Sequence, residues 1–239
     1  MERMDKQTFM HKAALMQPRY MPSVAVKRQL AQVDMIGTVG ATGVGKTSIM
    51  EHSRIPYVAS DVTRQPRSGE VNGVDYNFRS DYEELMKELE NGEFVQYVIF
   101  SNGEFYGTRA SSYPASGPCT MAIIAETVPF FFSLGFRKML PVYIIPPNYE
   151  EWMKRMDMHH DSDVPARMTE AKISIETALA DSRFHFLVND DLLSAAAMFR
   201  MIAEGASVEP LEQSTARQIA LNLLSRIESS KPVGLEDYL

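Results

Sequence analysis

The chain has 239 residues, 45% hydrophobic and 23% charged, enough for one compact domain with a sizeable core and a small appendage but crowded for two full domains. Its formal net charge of −7 argues against a broad nucleic-acid-binding surface, which is built chiefly from Lys and Arg. Cys119 is the only cysteine, which rules out an intramolecular disulfide or a cysteine-based metal cluster and fits a reducing, cytoplasmic compartment.

Residues 1–33 hold six Lys/Arg against two acids, a balance of +4 against −11 for the remainder. A helix or two folding back onto an acidic surface is the favoured reading, with a partner-binding arm as the alternative. Pro18 and Pro22 should break the segment into pieces. The first ten residues include Glu2, Arg3, Asp5 and Lys6 and lack the apolar stretch of a secretory signal.

From Asp34 the pattern changes. Met35, Ile36, Thr38 and Val39 form a strand-like run, a glycine-rich turn follows, and Ser48, Ile49 and Met50 open a helix. The turn, Gly40-Ala41-Thr42-Gly43-Val44-Gly45-Lys46-Thr47, fits the Walker A pattern in full. Such a loop cradles phosphates with backbone N–H groups, while Lys46 reaches the β- and γ-phosphates and Thr47 offers its hydroxyl to Mg²⁺. A chance glycine turn would not need a strand before it and a helix after it, the context the mechanism requires. ATP and Mg²⁺ are therefore expected.

Next, Ser60 to Phe78 offers Arg64 and Arg67, three residues apart, and then Tyr76. Two guanidinium forks and a phenol can hold a second phosphate in a fixed orientation; read alone, Arg-x-x-Arg is equally a pair of surface charges. Val95 to Phe100, Met121 to Ala125, Val142 to Ile145 and Phe184 to Val188 suit buried strands with helices between several of them, an alternation that predicts an α/β fold with a largely parallel sheet. The apolar run Met121 to Phe136 is interrupted by Glu126 and Pro129 and falls short of the ~20 residues of a membrane helix, so no membrane association is expected. His159 and His160 are adjacent, cannot share a helical face, and read as solvated loop residues rather than metal ligands. Over Leu211 to Ile227, Ala216, Ile219, Ala220, Leu223, Leu224 and Ile227 form one apolar helical stripe. It serves either this chain's own core or a homo-oligomer contact.

The run Thr63 to Phe78 closely resembles the nucleotide-binding signature of guanylate kinases. Glu93-Phe94, Tyr106-Gly107-Thr108, Pro146-Pro147 and Val188-Asn189-Asp190-Asp191 resemble later landmarks of that family in the right order. The resemblance covers about 34–204 and implies a P-loop NTPase fold with a central parallel sheet, a small monophosphate-binding part at about 60–118 and a short lid at about 155–168. The segments 1–33 and 205–239 remain as extensions. It implies further that Arg64, Arg67 and Tyr76 hold the acceptor's phosphate, that Ser60, Gln96 and Thr108 face its base, and that Tyr106 belongs to the same monophosphate-binding site. Arg155 and Arg167 would neutralise the transferring phosphoryl group, and Asn189 would lie beside the donor's adenine. Phosphoryl transfer needs such positioning and distributed positive charge more than covalent catalysis.

Three departures from the family pattern stand out. Gln96 replaces a base-reading glutamate, so one acceptor and one NH₂ donor stand where two acceptors are usual. Ile123 and Ala125 fall where the family has two aspartates; Glu126 could replace the second after a one-residue shift, and Asp61 is a candidate substitute. The lid is short, with His159 at an arginine position. The expected activity is ATP-dependent phosphorylation of GMP or dGMP. The rivals are a kinase of changed base choice, thymidylate-like, adenylate-like or for a modified deoxynucleotide, and a catalytically silent interaction module.

Overall fold

A computed structural model describes residues 3–100, 103–157, 164–207 and 209–229. In chain order the elements are α1 (Lys6–Met16), α2 (Val24–Leu30), β1 (Val33–Val39), α3 (Lys46–Ser53), β2 (Ser60–Val62), β3 (Tyr76–Phe78), α4 (Tyr82–Glu90) and β4 (Phe94–Ile99). There follow β5 (Phe105–Arg109), β6 (Gly117–Ala122), α5 (Val128–Ser133), β7 (Lys138–Ile145), α6 (Tyr149–Asp157), α7 (Val164–Ala180), β8 (His185–Val188), α8 (Leu192–Ala203) and α9 (Pro210–Ser229). The chain divides into two compact units: residues 1–34, 56–119 and 132–138 form the first, and 35–55, 120–131 and 139–239 the second.

The first unit is built on the sheet β3-β2-β5-β4. Here β2 runs parallel to β3, but β5 is antiparallel to both β2 and β4. The largely parallel arrangement expected from the sequence therefore fails for the Val95 to Phe100 run, because strand direction depends on partners that a single apolar run does not name. One sheet face packs against α1 and α4, with Phe9, Ala13, Leu85, Leu89, Phe94, Tyr97 and Phe105 in one buried cluster. Gly107 makes room for it: a Cβ there would lie 2.8 Å from Phe94, Tyr97 and Phe105 alike.

The N-terminal segment thus belongs to this core. Apolar burial of Phe9 and Ala13, both fully inaccessible, holds α1 in place; charge adds the Lys6–Glu104 pair at 2.6 Å. Tyr97 donates its phenol to the Ala13 carbonyl and Tyr20 to that of Phe94, each at 2.8 Å. Pro18 lies in a 3-10 turn after α1, and Pro22 precedes Ser23, whose hydroxyl caps α2.

The second unit carries the central parallel sheet, with strand order β6-β1-β7-β8. β7 and β8 pair in parallel from Val142↔His185 to Ile145↔Val188. β1 is buried along nearly its whole length, as a strand covered on both faces must be. β6 starts at Gly117 rather than Met121; it is an edge strand, where the missing N–H of Pro118 costs no ladder bond. Ile123 to Ala125 lie beyond it, leading into a 3-10 turn at Ala125–Thr127.

The stripe on α9 covers this chain's own α7 and β8. Ala216, Ala220, Leu223 and Ile227 are buried and Ile219 and Leu224 half-buried. Gln213 bonds both backbone groups of Phe186 at 2.9 Å, completing the β8 edge as another strand would. Arg217 stacks over the Phe186 ring and donates to the carbonyls of Leu179, Asp181 and Phe184. No helix among the described residues is long and apolar enough to cross a membrane.

Candidate active site

The Walker A turn joins β1 to α3. Gly40, Gly43 and Gly45 have φ of 144°, 79° and 93°, a region open mainly to glycine. A Cβ at Gly40 would lie 2.5 Å from the Ile144 carbonyl oxygen, and one at Gly45 2.4 Å from Asn189 Nδ2. The loop's carbonyls are tied back: Lys46 Nζ donates to those of Gly40 and Ala41 at 2.6 and 2.8 Å. Trp152 Nε1 donates to Thr42 and Asn189 Nδ2 to Val44, both at 2.8 Å. With these acceptors engaged, the loop and the start of α3 keep their N–H groups for an anion.

Burial of the Lys46 ammonium pushes its pKa down to about 8, with Glu170 opposing and Arg167 reinforcing the shift. Thr47 is exposed and Ser48 half-buried at the head of α3. The loop fits a nucleotide's polyphosphate, and the Thr47 hydroxyl is the kind of hard oxygen donor Mg²⁺ takes. Among the described residues no group of three or more His, Cys, Asp or Glu could hold a metal.

Asn189 is buried. Its amide nitrogen supports the loop rather than facing outward to an adenine. Its backbone carbonyl accepts from Arg155 Nη1 at 3.0 Å, and Arg155 Nε donates to Glu151 at 3.0 Å. Arg155 is thereby fixed on α6. Arg167, on α7, pairs with Glu170 at 3.3 Å. His159 and His160, with the middle of the expected lid, lie outside the described residues.

In the first unit, strand register decides which side chains meet. Gln96 is paired with Thr108 across β4 and β5. Carrying the β2–β5 register Asp61↔Gly107 one residue further sets Ser60 beside Thr108, and Tyr76 is the partner of Ser60 on β3. Directly opposed residues share a sheet face, as do residues two apart along a strand. Ser60, Tyr76, Gln96, Tyr106 and Thr108 therefore stand on one face, opposite the α1–α4 core.

At the Tyr106 end, Arg64 Nε donates to the Tyr106 hydroxyl at 3.0 Å, and its guanidinium sits 4.7 Å over the Tyr76 ring. Its two terminal nitrogens form a fork to Glu70 at 2.6 and 2.7 Å. The Arg64 bonds hold the Glu70 carboxyl down at about 2. Arg67 is exposed, and its backbone N–H also bonds Glu70, at 2.7 Å.

Several expectations need correction. Asp61 is not available to replace a strand aspartate, since it lies fully buried on the opposite sheet face. It accepts from Asn77 on one oxygen and from Arg79 and Arg109 on the other, at 2.6 to 2.8 Å. Thr108 is wholly buried and bonded to Tyr113 and Gln96, so its hydroxyl is not open to a base directly. Ile123 is packed against Gly37, while Glu126 is exposed in the 3-10 turn of the second unit.

Glu70, Tyr113 and Trp152 carry parts of the site to which sequence reasoning gave no role. Only Trp152, the sole tryptophan, offered a signal.

The family model for guanylate kinase matches residues 35–114. A guanylate kinase of Trichormus variabilis is 33% identical over 172 residues, covering 67% of this chain and 84% of that protein. The chain belongs to the guanylate kinase family. Another guanylate kinase, from Thermus thermophilus, is 30% identical over 200 residues, with 76% of this chain and 88% of that protein covered. The crystal structure of guanylate kinase from Anaplasma phagocytophilum superposes with a TM-score of 0.52 at 23% identity, covering 78% of this chain and 92% of that one, a likeness of fold. As a member of this family the chain is a nucleoside monophosphate kinase.

Proposed function

We propose that this kinase transfers the γ-phosphoryl group of ATP to GMP or dGMP. The observation that carries the reading is the single sheet face that seats Arg64 against Tyr76 and Tyr106, with Gln96 further along it. Its relatives' name, guanylate kinase, supports the choice of base.

In this reading Gly40 to Ser48 hold the donor's phosphates, and Lys46 keeps its charge against them once they are bound. Thr47, with the nucleotide, would hold Mg²⁺, which would supply positive charge against the phosphates. Arg64, Arg67, Tyr76 and Tyr106 orient the acceptor's phosphate. Glu70 pre-sets the Arg64 fork, as an oriented guanidinium loses less freedom when phosphate arrives. Arg155 and Arg167 stabilise charge on the group in transit.

A kinase of altered base choice is the second reading, favoured by Gln96. A silent binding module is disfavoured, because it has no use for a loop whose carbonyls are tied back by Lys46, Trp152 and Asn189. Steady-state assay of purified enzyme with ATP, Mg²⁺ and a panel of GMP, dGMP, AMP, UMP and dTMP tests the proposal. GMP or dGMP should give the highest kcat/KM. AMP, UMP or dTMP in first place would replace the first reading by the second.

A further inference from the structure

The buried end of the base-facing row carries information about what the enzyme reads. Tyr113 and Thr108 are both buried, and their hydroxyl oxygens lie 2.9 Å apart. Thr108 Oγ1 is also 3.4 Å from the amide end of Gln96, placed with Nε2 toward it. Among the described contacts, these are the hydrogen bonds of both hydroxyls.

An amide's nitrogen and oxygen ends have the same shape and are told apart by the network around them. With Nε2 toward Thr108, the two hydroxyls have only each other's oxygens as acceptors, and only one of them can donate across that pair. The other is left as a buried O–H without a partner, which carries the full desolvation cost of the group. Turning the amide over removes the conflict. Tyr113 then donates to Thr108, Thr108 donates to Gln96 Oε1, and every buried proton is bonded. The NH₂ group of half-buried Gln96 faces outward.

We infer that Thr108 orients the Gln96 amide with its NH₂ toward the base, so that the enzyme reads an oxo oxygen and leaves a purine 2-amino group unread. The inference rests on the purine-monophosphate reading proposed above. Guanine offers O6 to such a donor, and so does hypoxanthine, which differs only in lacking the 2-amino group. A site that accepted hydrogen bonds from N1–H and the 2-amino group would reject the analogue without it, since its own acceptor would be left unpaired. Here the amide oxygen is already engaged by Thr108. The substrate class is the 6-oxopurine 5′-monophosphates, with or without the 2-amino group. Thr108 is a positioning residue acting through Gln96.

Steady-state kinetics with GMP and IMP, each with ATP and Mg²⁺, tests this. Wild-type enzyme should give kcat/KM values within about threefold of each other. Gln96→Glu leaves one oxygen on Thr108 and puts an acceptor where the NH₂ stood, and should raise the GMP:IMP ratio at least about tenfold. Thr108→Val frees the amide to turn and should move the ratio the same way. Thr108→Ser keeps the hydroxyl and should leave it at the wild-type value, a distinction that loss of packing alone would not produce. A wild-type preference for GMP over IMP of about a hundredfold or more would overturn the inference and leave the proposed function standing. Turnover of neither GMP nor IMP would overturn both. An unchanged ratio in Thr108→Val and Gln96→Glu would show that residue 96 does not read the base.

Discussion

At Lys46 the ammonium sits between two carbonyls of its own loop, and enclosure makes its charge costly in the free enzyme. With a free-state pKa of about 8, the side chain is protonated at neutral pH and loses its proton as pH rises through 8. Donor phosphates select the charged form, so binding above pH 8 takes up a proton and affinity falls, by up to about tenfold per pH unit. Calorimetric titration of ATP from pH 7 to 9.5 should show this fall and a matching proton uptake; a flat affinity would contradict it. The sign for folding is the reverse of a salt-bridged lysine. The penalty of holding the charge is fully present below pH 8 and is relieved between pH 8 and the ordinary lysine value near 10.5. The Walker A residues were legible because their function depends on spacing along the chain. Asp61 and Thr108 were not: whether each reaches the site depends on sheet face and burial, which the register of β2, β4 and β5 decides. Glu70 stood in plain view between Arg64 and Tyr76, yet its fork to Arg64 follows from the fold of the 64–70 loop.

Among the elements, α1 and α9 lie outside the stretch the sequence resembles, and both are spent on this chain's own cores. Phe9 touches Tyr82 and Phe105 at ring distances of 5.7 and 5.6 Å and is fully buried. Phe9→Ala should lower unfolding free energy by about 3–5 kcal/mol through lost burial and a residual cavity. Urea unfolding checks this; a loss below about 1 kcal/mol would mean that α1 is an appendage. The breaks at Pro18 and Pro22 and the periodicity of α9 were readable because helix signals are local. β2 and β3 have three residues each, too short for alternation to register, and the direction of β4 emerges only from its pairing with β5. β6 begins at Gly117, ahead of the apolar run from Met121, because an edge strand tolerates Pro118.

Across the molecule, the Walker A loop lies in the second unit and the sheet that carries Tyr76, Gln96 and Tyr106 in the first, so the proposed reading assigns the two phosphates to separate groups. The α/β class and the family were legible from a motif in each unit. What was not legible is how each site is supported, since Trp152 and Asn189 act through contacts distant in sequence and Glu70 and Tyr113 through the local path of a loop that no propensity signals. On the proposed reading, Lys46 serves the transfer of phosphoryl from ATP to GMP. Incubation with γ-labelled ATP, Mg²⁺ and GMP, followed by separation of products, tests it most directly. Wild-type enzyme should form ADP and labelled GDP in equal amounts, and Lys46→Ala should lose at least about a hundredfold in rate while melting as a folded protein. ADP without labelled GDP, or a folded Lys46→Ala enzyme with near-normal turnover, would contradict it.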